Sequence, residues 1–259
     1  MNILSVVTIT FNDPNSLRKT SRSLRSQEID WIVVDGSTDT QCKNANITIL
    51  SEHKVKLIQE PDHGRFDAMN KGLAAAKGDF IIFLNGGDAF VSPDTIYKIH
   101  RFITSNQVDW AIGQTNAVDE FGTYQWTWPM PKHNSLKLKL GINSYCHQAT
   151  IYRRSLLNSI GGFNRESLYS DWQTSLILSS VARPVISPDL WTNFLINGIS
   201  SNLTIKYWAN ESVKLRRDAK KLIGGNVFSD FIAQWFAARF ISSTRGQLIR
   251  PDLVKKHGK

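Results

Sequence analysis

Four clusters of polar, turn-forming residues fall at the ends of β-rich runs in this sequence. Thr10-Phe11-Asn12-Asp13 closes LSVVTIT, Asp35-Gly36-Ser37-Thr38-Asp39 closes WIVVD, Glu60-Pro61-Asp62-His63-Gly64-Arg65 follows VKLIQ, and Asn85-Gly86-Gly87-Asp88 follows FIIFL. Carboxylates, amides and hydroxyls accept hydrogen bonds from a sugar or a base, and a guanidinium such as Arg65 matches phosphate. In an open parallel sheet, ligands sit beyond the carboxyl ends of the strands, so clusters at four successive strand ends predict one polar ligand site. No GxGxxG follows the first strand and no GxxxxGK[ST] occurs, so a dinucleotide dehydrogenase and a P-loop phosphotransferase both lack their main phosphate-binding device.

The elements that must position these clusters alternate in type. The four β-rich runs are each followed by a turn or a helical pattern, which predicts a mostly parallel sheet covered by helices on both faces. Leu17, Ser21 and Leu24 share a face of the first helix, and Phe66, Met69, Leu73 and Ala76 form a second stripe with Gly78 as its C-cap. Ser92-Pro93-Asp94 supplies an N-cap, a first-turn proline and an acidic residue for a helix after the fourth strand. Further on, WAIGQ and QATIY read as strands and WTWPMPKHN as an aromatic loop. Ser170 caps a helix that begins at Asp171 and turns Trp172, Leu176 and Ile177 inward; PVISP is a short strand and NGISSN a turn.

The 259 residues, 41% hydrophobic and 20% charged, suffice for one α/β core with a smaller appendage. Cys42 and Cys146 are in neither a disulfide framework nor a zinc spacing, which fits a reducing cytoplasm. MNILSVVTIT runs straight into a strand pattern, and no apolar run approaches the ~18 residues of a membrane span. The net charge is +9, and 203–259 carries 12 Lys and Arg against Glu211, Asp218, Asp230 and Asp252, so nearly all the excess lies in the tail.

In order, VTITFND, VVDGSTD, EPDHGRFDAMNKGLAAAKGDFIIFLNGGD, HQATIYRRSLLNSIGGFN, YSDWQ and NGISSN resemble the family 2 glycosyltransferases of the GT-A fold, over roughly 3–203. The DAMNKG segment, the FLN-x-GD turn, the HQA segment and the SD pair are most similar to colanic-acid and O-antigen biosynthesis enzymes. The resemblance implies a GT-A Rossmann-like domain over 1–203, its nucleotide-sugar half at 1–114 and its acceptor half at 115–203, with a basic helical extension at 204–259. It implies that Asp35 reads the base or ribose of a nucleotide sugar with Thr10, Asn12, Asp67 and Asn70. Arg65, Asn85 and His147 complete the expected nucleotide-sugar site, with His147 touching the diphosphate or the acceptor. Asp88 would hold a divalent metal, Mg²⁺ or Mn²⁺, on the diphosphate, and Asp171 would be the general base that deprotonates the acceptor hydroxyl. Such a cation neutralises a diphosphate leaving group. Asn85 and Gly87 replace the acidic residues of the family's DxD pattern, so Asp88 stands alone.

Each of these residues also has a purely structural reading. Asn85 to Asp88 suits a tight turn, and Asp35 suits an Asx-turn closing its own strand. Asp67 and Asn70 fit a solvated helix face, Asp171 a favourable charge at a helix N-terminus, and His147 a buried hydrogen-bonding role. Arg65 either meets phosphate or pairs with Asp62 or Asp67.

The reaction implied is a single in-line displacement with inversion, moving a hexose from a nucleotide sugar, with uridine diphosphate the expected carrier, to a polyprenyl-diphosphate-linked oligosaccharide. Val227 to Ile241 carries Phe228, Phe231, Ile232, Trp235, Phe236 and Phe240 beside Arg239, Arg245, Arg250, Lys255 and Lys256, a composition suited to peripheral contact with an anionic membrane. The expected location is therefore the cytoplasmic face of a bacterial plasma membrane. The structural alternative packs Trp235 and Phe236 on the core. Three other readings compete: a nucleotidyltransferase, for which TFNDPNS is a poor phosphate loop; a nucleic-acid-binding protein, which the acidic strand ends oppose; and a weakened nucleotide-sugar-binding relative.

Overall fold

The computed structural model describes residues 4–24, 29–128, 133–142, 145–196 and 205–243. NGISSN, most of the proline-bearing part of WTWPMPKHN, and the basic residues from Arg245 onward lie outside them.

The chain first lays down β1 (Leu4–Thr10), α1 (Pro14–Ser23), β2 (Asp30–Asp35), α2 (Thr40–Leu50), β3 (Val55–Gln59), α3 (Arg65–Ala75) and β4 (Phe80–Phe83). There follow β5 (Ala89–Phe90), α4 (Thr95–Ser105), β6 (Trp110–Val118), β7 (Tyr124–Thr127), α5 (Ser135–Lys139), β8 (Thr150–Arg153), α6 (Arg154–Ser159), α7 (Ser170–Leu178) and β9 (Val185–Leu195). The described part ends with α8 (Ile205–Asp218) and α9 (Val227–Ile241).

One sheet runs in the order β3-β2-β1-β4-β8-β6-β9-β5, with β7 paired to β6. The β3-β2-β1-β4 side is parallel; β8 runs antiparallel to β4 and β6, while β9 is again parallel to β6. Alternate residues of the central strands feed two cores, as a pleat with a period of two requires. Val7, Ile32, Ile81 and Phe83 pack with Met69 and Leu73 of α3 and with Trp172 and Leu176 of α7. Val6, Val33, Ile82 and Leu84 face the other way, toward Leu17 of α1 and Ile99 and Ile103 of α4. With helices on both faces, the site is left to the strand ends.

Several local expectations are corrected. The C-cap of α3 is Ala76, not Gly78. Gly78 instead donates its N–H to Ser5 Oγ at 2.8 Å, and a Cβ there would meet Ser5 N at 2.7 Å, so close strand packing explains the glycine. β5 intervenes before α4, whose N-cap is Asp94; Ser92 and Pro93 form the preceding turn, with the Thr95 N–H reaching Ser92 O at 3.1 Å. α7 is capped at Tyr169, and Ser170 is already helical. PVISP is not a short strand: from Val185 it runs on as an eleven-residue one. Ile177 is half-buried, the inward positions of α7 being taken by Trp172, Leu176 and Leu178.

α8 and α9 are joined by an ion pair that is fully buried on both sides. Arg216 Nε and Nη2 each reach a different oxygen of Asp230 at 2.8 Å, Arg216 Nη1 donates to Lys139 O of α5 at 2.6 Å, and Ile223 N–H donates to Asp230 Oδ1 at 2.8 Å. A bidentate pair with its remaining groups bonded is the arrangement in which a buried charge is tolerated. It sets the rotation of α9: Asp230, Gln234, Ala237 and Ile241 face inward, while Trp235 and Phe236 are 50% and 62% exposed. The core-packing alternative for those two aromatics is therefore wrong.

Candidate active site

The first two strand-end clusters are tied to one another. Asn12, at φ 48°, donates its N–H to Ser37 Oγ at 2.8 Å, and its Oδ1 accepts from the N–H groups of Thr38 and Asp39 at 3.0 and 3.1 Å. Asn tolerates the left-handed region better than most residues, which suits it to this corner. Asp35 is completely buried. Its carboxylate accepts from Ser37 N–H at 2.9 Å, Asn46 Nδ2 at 3.0 Å and Gln59 Nε2 at 2.9 Å. Burial by itself would raise its pKa; the hydrogen bonds from Asn46, Ser37 and Gln59 outweigh that and hold it below the usual carboxylate range. Asp35 thus closes the Asx-turn that shapes the loop. Gly36 is needed where the third cluster presses in, since a Cβ there would lie 1.8 Å from Asp62 Oδ2.

Asp67 and Asn70 both turn toward Phe163 and Arg165 instead of lying on a solvated face. Asp67 is 2% exposed, accepts His63 N–H at 3.1 Å, and meets Arg165 Nε at 3.1 Å and Lys71 Nζ at 3.6 Å. Burial opposes its ionisation, but the His63 N–H and the charges of Arg165 and Lys71 keep its pKa below the usual value. Asn70 spans the backbone of Phe163, donating to its carbonyl at 2.7 Å and accepting from its N–H at 2.9 Å. Asn70→Ala should cost about 1–3 kcal/mol, because both backbone groups of Phe163 lose their partner. Urea unfolding measures this; an unchanged midpoint would contradict the clamp.

The fourth cluster is a tight turn held by α1. Gly87, at φ +97°, donates to Thr20 Oγ1 at 3.0 Å, and that hydroxyl donates on to Asp88 O at 2.7 Å. Asp88 is 3% exposed; its Oδ1 accepts Leu195 N–H from the end of β9 at 2.9 Å. Burial pushes its pKa up to about 7, against the smaller opposing effects of Leu195 N–H, His147 and Gln148. Two buried oxygens close by lack partners, Thr10 Oγ1 and Asn85 Oδ1.

His147, in a 3-10 turn leading into β8, joins this cluster to α7. Its Nε2 lies 3.1 Å from Asn85 Nδ2 and its Nδ1 3.2 Å from Asp171 Oδ2. With the proton on Nδ1, His147 donates to Asp171 and accepts from Asn85, so both contacts are satisfied at once. The Asp171 side chain is 27% exposed and stays open to a ligand. Burial works to raise its pKa; the hydrogen bond and electrostatic effect of His147, the charge of Arg65, and the Trp172 N–H bring it below the usual carboxylate value. Arg65 pairs with neither Asp62 nor Asp67: its guanidinium donates to Leu168 O, two residues before α7.

The strand-end residues thus divide by role. Asn85, Asp88, His147 and Asp171 form a connected polar line, with Arg65 acting electrostatically on Asp171. Asn12, Asp35, Asp67 and Asn70 spend their polar atoms on holding the surrounding loops. Four contributors escaped sequence reading. Phe11, 59% exposed, puts an aromatic ring at the end of β1, and its place beside Asn12 was the available signal. Gln148, Thr20 and Arg165 act through contacts too distant in sequence to read.

Among the described residues, no three His, Cys, Asp or Glu side chains gather to hold a metal unaided. The oxygen donors that the turn after β4 supplies, the Asp88 carboxylate and the unpartnered Asn85 amide oxygen, are hard oxygens of the kind Mg²⁺ and Mn²⁺ take.

Residues 5–161 match the family model described as glycosyl transferase family 2. An uncharacterized glycosyltransferase of Mycobacterium tuberculosis is 30% identical over 207 residues, 77% of each chain. A PGL/p-HBAD biosynthesis glycosyltransferase of Mycobacterium bovis is 30% identical over 154 residues, 58% of this chain and 57% of its own length. Among solved structures, S. aureus TarS 1-349 in complex with UDP-GlcNAc aligns with a TM-score of 0.67 at 17% identity, over 98% of this chain and 76% of that one. The mannosyltransferase PcManGT from Pyrobaculum calidifontis, in complex with GDP-Man and Mn2+, aligns with a TM-score of 0.63 at 15% identity, over 97% of this chain and 72% of that one.

Proposed function

The chain belongs to glycosyl transferase family 2 and has the GT-A Rossmann-like fold, and from that premise we propose that this glycosyltransferase moves a hexose from a uridine-diphosphate sugar to a lipid-linked oligosaccharide with inversion, using Asp171 as base. The observation that carries the reading is the Asp171–His147–Asn85 line running from the acceptor-side helix α7 to the turn after β4. It spans the carboxyl ends of the strands, where a donor and an acceptor must meet.

Asp171 is ionised at neutral pH and partly exposed, so it can take the proton of an acceptor hydroxyl as that oxygen attacks the anomeric carbon. His147 is a positioning residue: its Nδ1–H fixes the carboxylate and leaves the other oxygen for the acceptor. In-line attack inverts the anomeric carbon and needs no protein nucleophile. The base stacks on Phe11, Asn12 and Asp35 hold the loop beneath the ribose, and Thr10 Oγ1 offers an unspent hydroxyl. Asp88 and Asn85 would hold a divalent cation, which when bound supplies charge neutralisation for the departing diphosphate. Residues 1–114 form the donor half, 115–203 the acceptor half and 204–259 a membrane-facing extension, in assembly of a surface polysaccharide of the O-antigen or colanic-acid kind at the inner face of the plasma membrane. The relative named for PGL/p-HBAD biosynthesis supports a cell-envelope product. No helix among the described residues is long and apolar enough to cross a membrane, which agrees with peripheral contact.

The test is release of uridine diphosphate from a panel of uridine-diphosphate sugars by the purified chain with Mn²⁺ and a polyprenyl-diphosphate-linked acceptor. Acceptor-dependent release from one donor is expected; release from none, with guanosine-diphosphate donors active instead, would overturn the uridine assignment.

A further inference from the structure

An ordinary surface helix buries its apolar residues and shows its polar ones. α9 departs from this: beside Ala237 and Ile241 it buries Asp230 and Gln234, and it exposes Phe228, Phe231, Trp235, Phe236 and Phe240. The Arg216–Asp230 pair enforces this rotation. At 15 residues the helix is shorter than the ~20 needed to span a bilayer.

Between α8 and α9 runs a groove of about 600 Å³, lined by Asn210, Phe231, Gln234, Trp235, Arg239 and Ser242 among others. Gln234 is 2% exposed and lines the groove, yet neither its Nε2 nor its Oε1 has a hydrogen-bond partner. Leaving a buried amide unpaired is costly, so a ligand with polar atoms is called for there. The Arg239 guanidinium stacks over Trp235, 4.9 Å from the ring centroid, and makes no ion pair among the described residues. The groove therefore combines a cation and an amide with aromatic walls. It sits in a segment, 203–259, that carries +8 of the chain's +9 charge.

We propose that this groove seats the phosphate headgroup of an anionic membrane phospholipid, with the aromatic face of α9 lying in the lipid around it. Arg239 and Gln234 bind the phosphate oxygens, and Phe231 and Trp235 contact the glycerol and upper acyl chain. Charge complementarity favours this occupant over a second copy of the chain, which would bring two strongly basic segments together. The inference deepens the membrane contact proposed above by giving it a headgroup site.

The full chain is floated with vesicles of phosphatidylcholine alone or of phosphatidylcholine and phosphatidylglycerol in equal parts. Binding to the anionic vesicles is expected, weakened roughly fivefold by Arg239→Gln and at least about tenfold by Trp235→Ala. Gln234→Leu separates a headgroup ligand from an incidental buried amide. The expected result is a fold at least as stable as the parent, by thermal melting, with weaker binding to anionic vesicles. Unchanged vesicle binding in that variant, or equal binding to neutral and anionic vesicles, would overturn the headgroup site. A dimer in solution that Trp235→Ala dissolves, with no vesicle binding, would assign the face to a second copy and also overturn it. Uridine diphosphate binding is measured on the same samples: nucleotide binding without vesicle binding removes this inference alone, and vesicle binding without nucleotide binding removes the uridine assignment alone.

Discussion

Asp171→Asn is expected to lower the transfer rate by about 10²–10⁴-fold while leaving uridine diphosphate affinity within about twofold. The asparagine Oδ1 can still accept the His147 Nδ1–H, so the connection to Asn85 and the cap region of α7 should survive. What disappears is the charge that takes the hydroxyl proton in the transition state. Single-turnover transfer beside donor calorimetry separates these effects. Near-normal turnover would show that another group is the base, and loss of donor binding as well would show that Asp171 belongs to the donor site. His147→Gln should fall between parent and Asp171→Asn, and should move the acid limb attributable to Asp171 upward, because the His147 hydrogen bond and electrostatic effect that lower its pKa are gone.

The second large effect concerns stability. Asp88 is raised from 3.8 to about 7 by burial, so the folded state holds its proton more tightly than the unfolded state does. Its contribution is therefore fully favourable below the unfolded value and is lost as pH rises through about 7. Asp88→Asn carries no charge at any pH and can keep the contact with Leu195 N–H. Without metal at pH 8 the variant should exceed the parent in stability by up to about 4 kcal/mol, with the gap vanishing near pH 4. Urea unfolding with a chelator at several pH values gives the difference directly, since the other carboxylates are common to both chains. A variant less stable than the parent at pH 8 would mean that Asp88 is stabilised as the anion by protein groups alone. The same titration bears on function: protonation of Asp88 below about pH 7 should weaken cation-dependent donor binding, while Asp171 stays ionised.

The parts of the fold legible in sequence are those set by local pattern. β1 to β4, the faces of α1 and α3, and the polar strand ends follow from apolar alternation and turn chemistry, all within a dozen residues of one another. The roles of Asp67 and Asn70 were not legible, because their partners Arg165 and Phe163 lie more than ninety residues away. Asp88 poses the same problem: its turn is readable, but its burial against Leu195, 107 residues on, is not. For α9 the difficulty is of another kind. Its apolar residues surround most of the helix, and only the buried pair between Arg216 and Asp230 decides which side faces in. Ser170 shows the limit of capping rules, since a good cap residue followed by an acid is one position inside the helix here.

The most direct test of the central claim is calorimetric titration of the purified chain with uridine diphosphate, with and without Mn²⁺, repeated for Asp88→Ala. Cation-dependent binding in the parent and its loss in the variant are the predicted result. Binding of equal strength in both chains, indifferent to Mn²⁺, would contradict the placing of the donor diphosphate at the turn after β4.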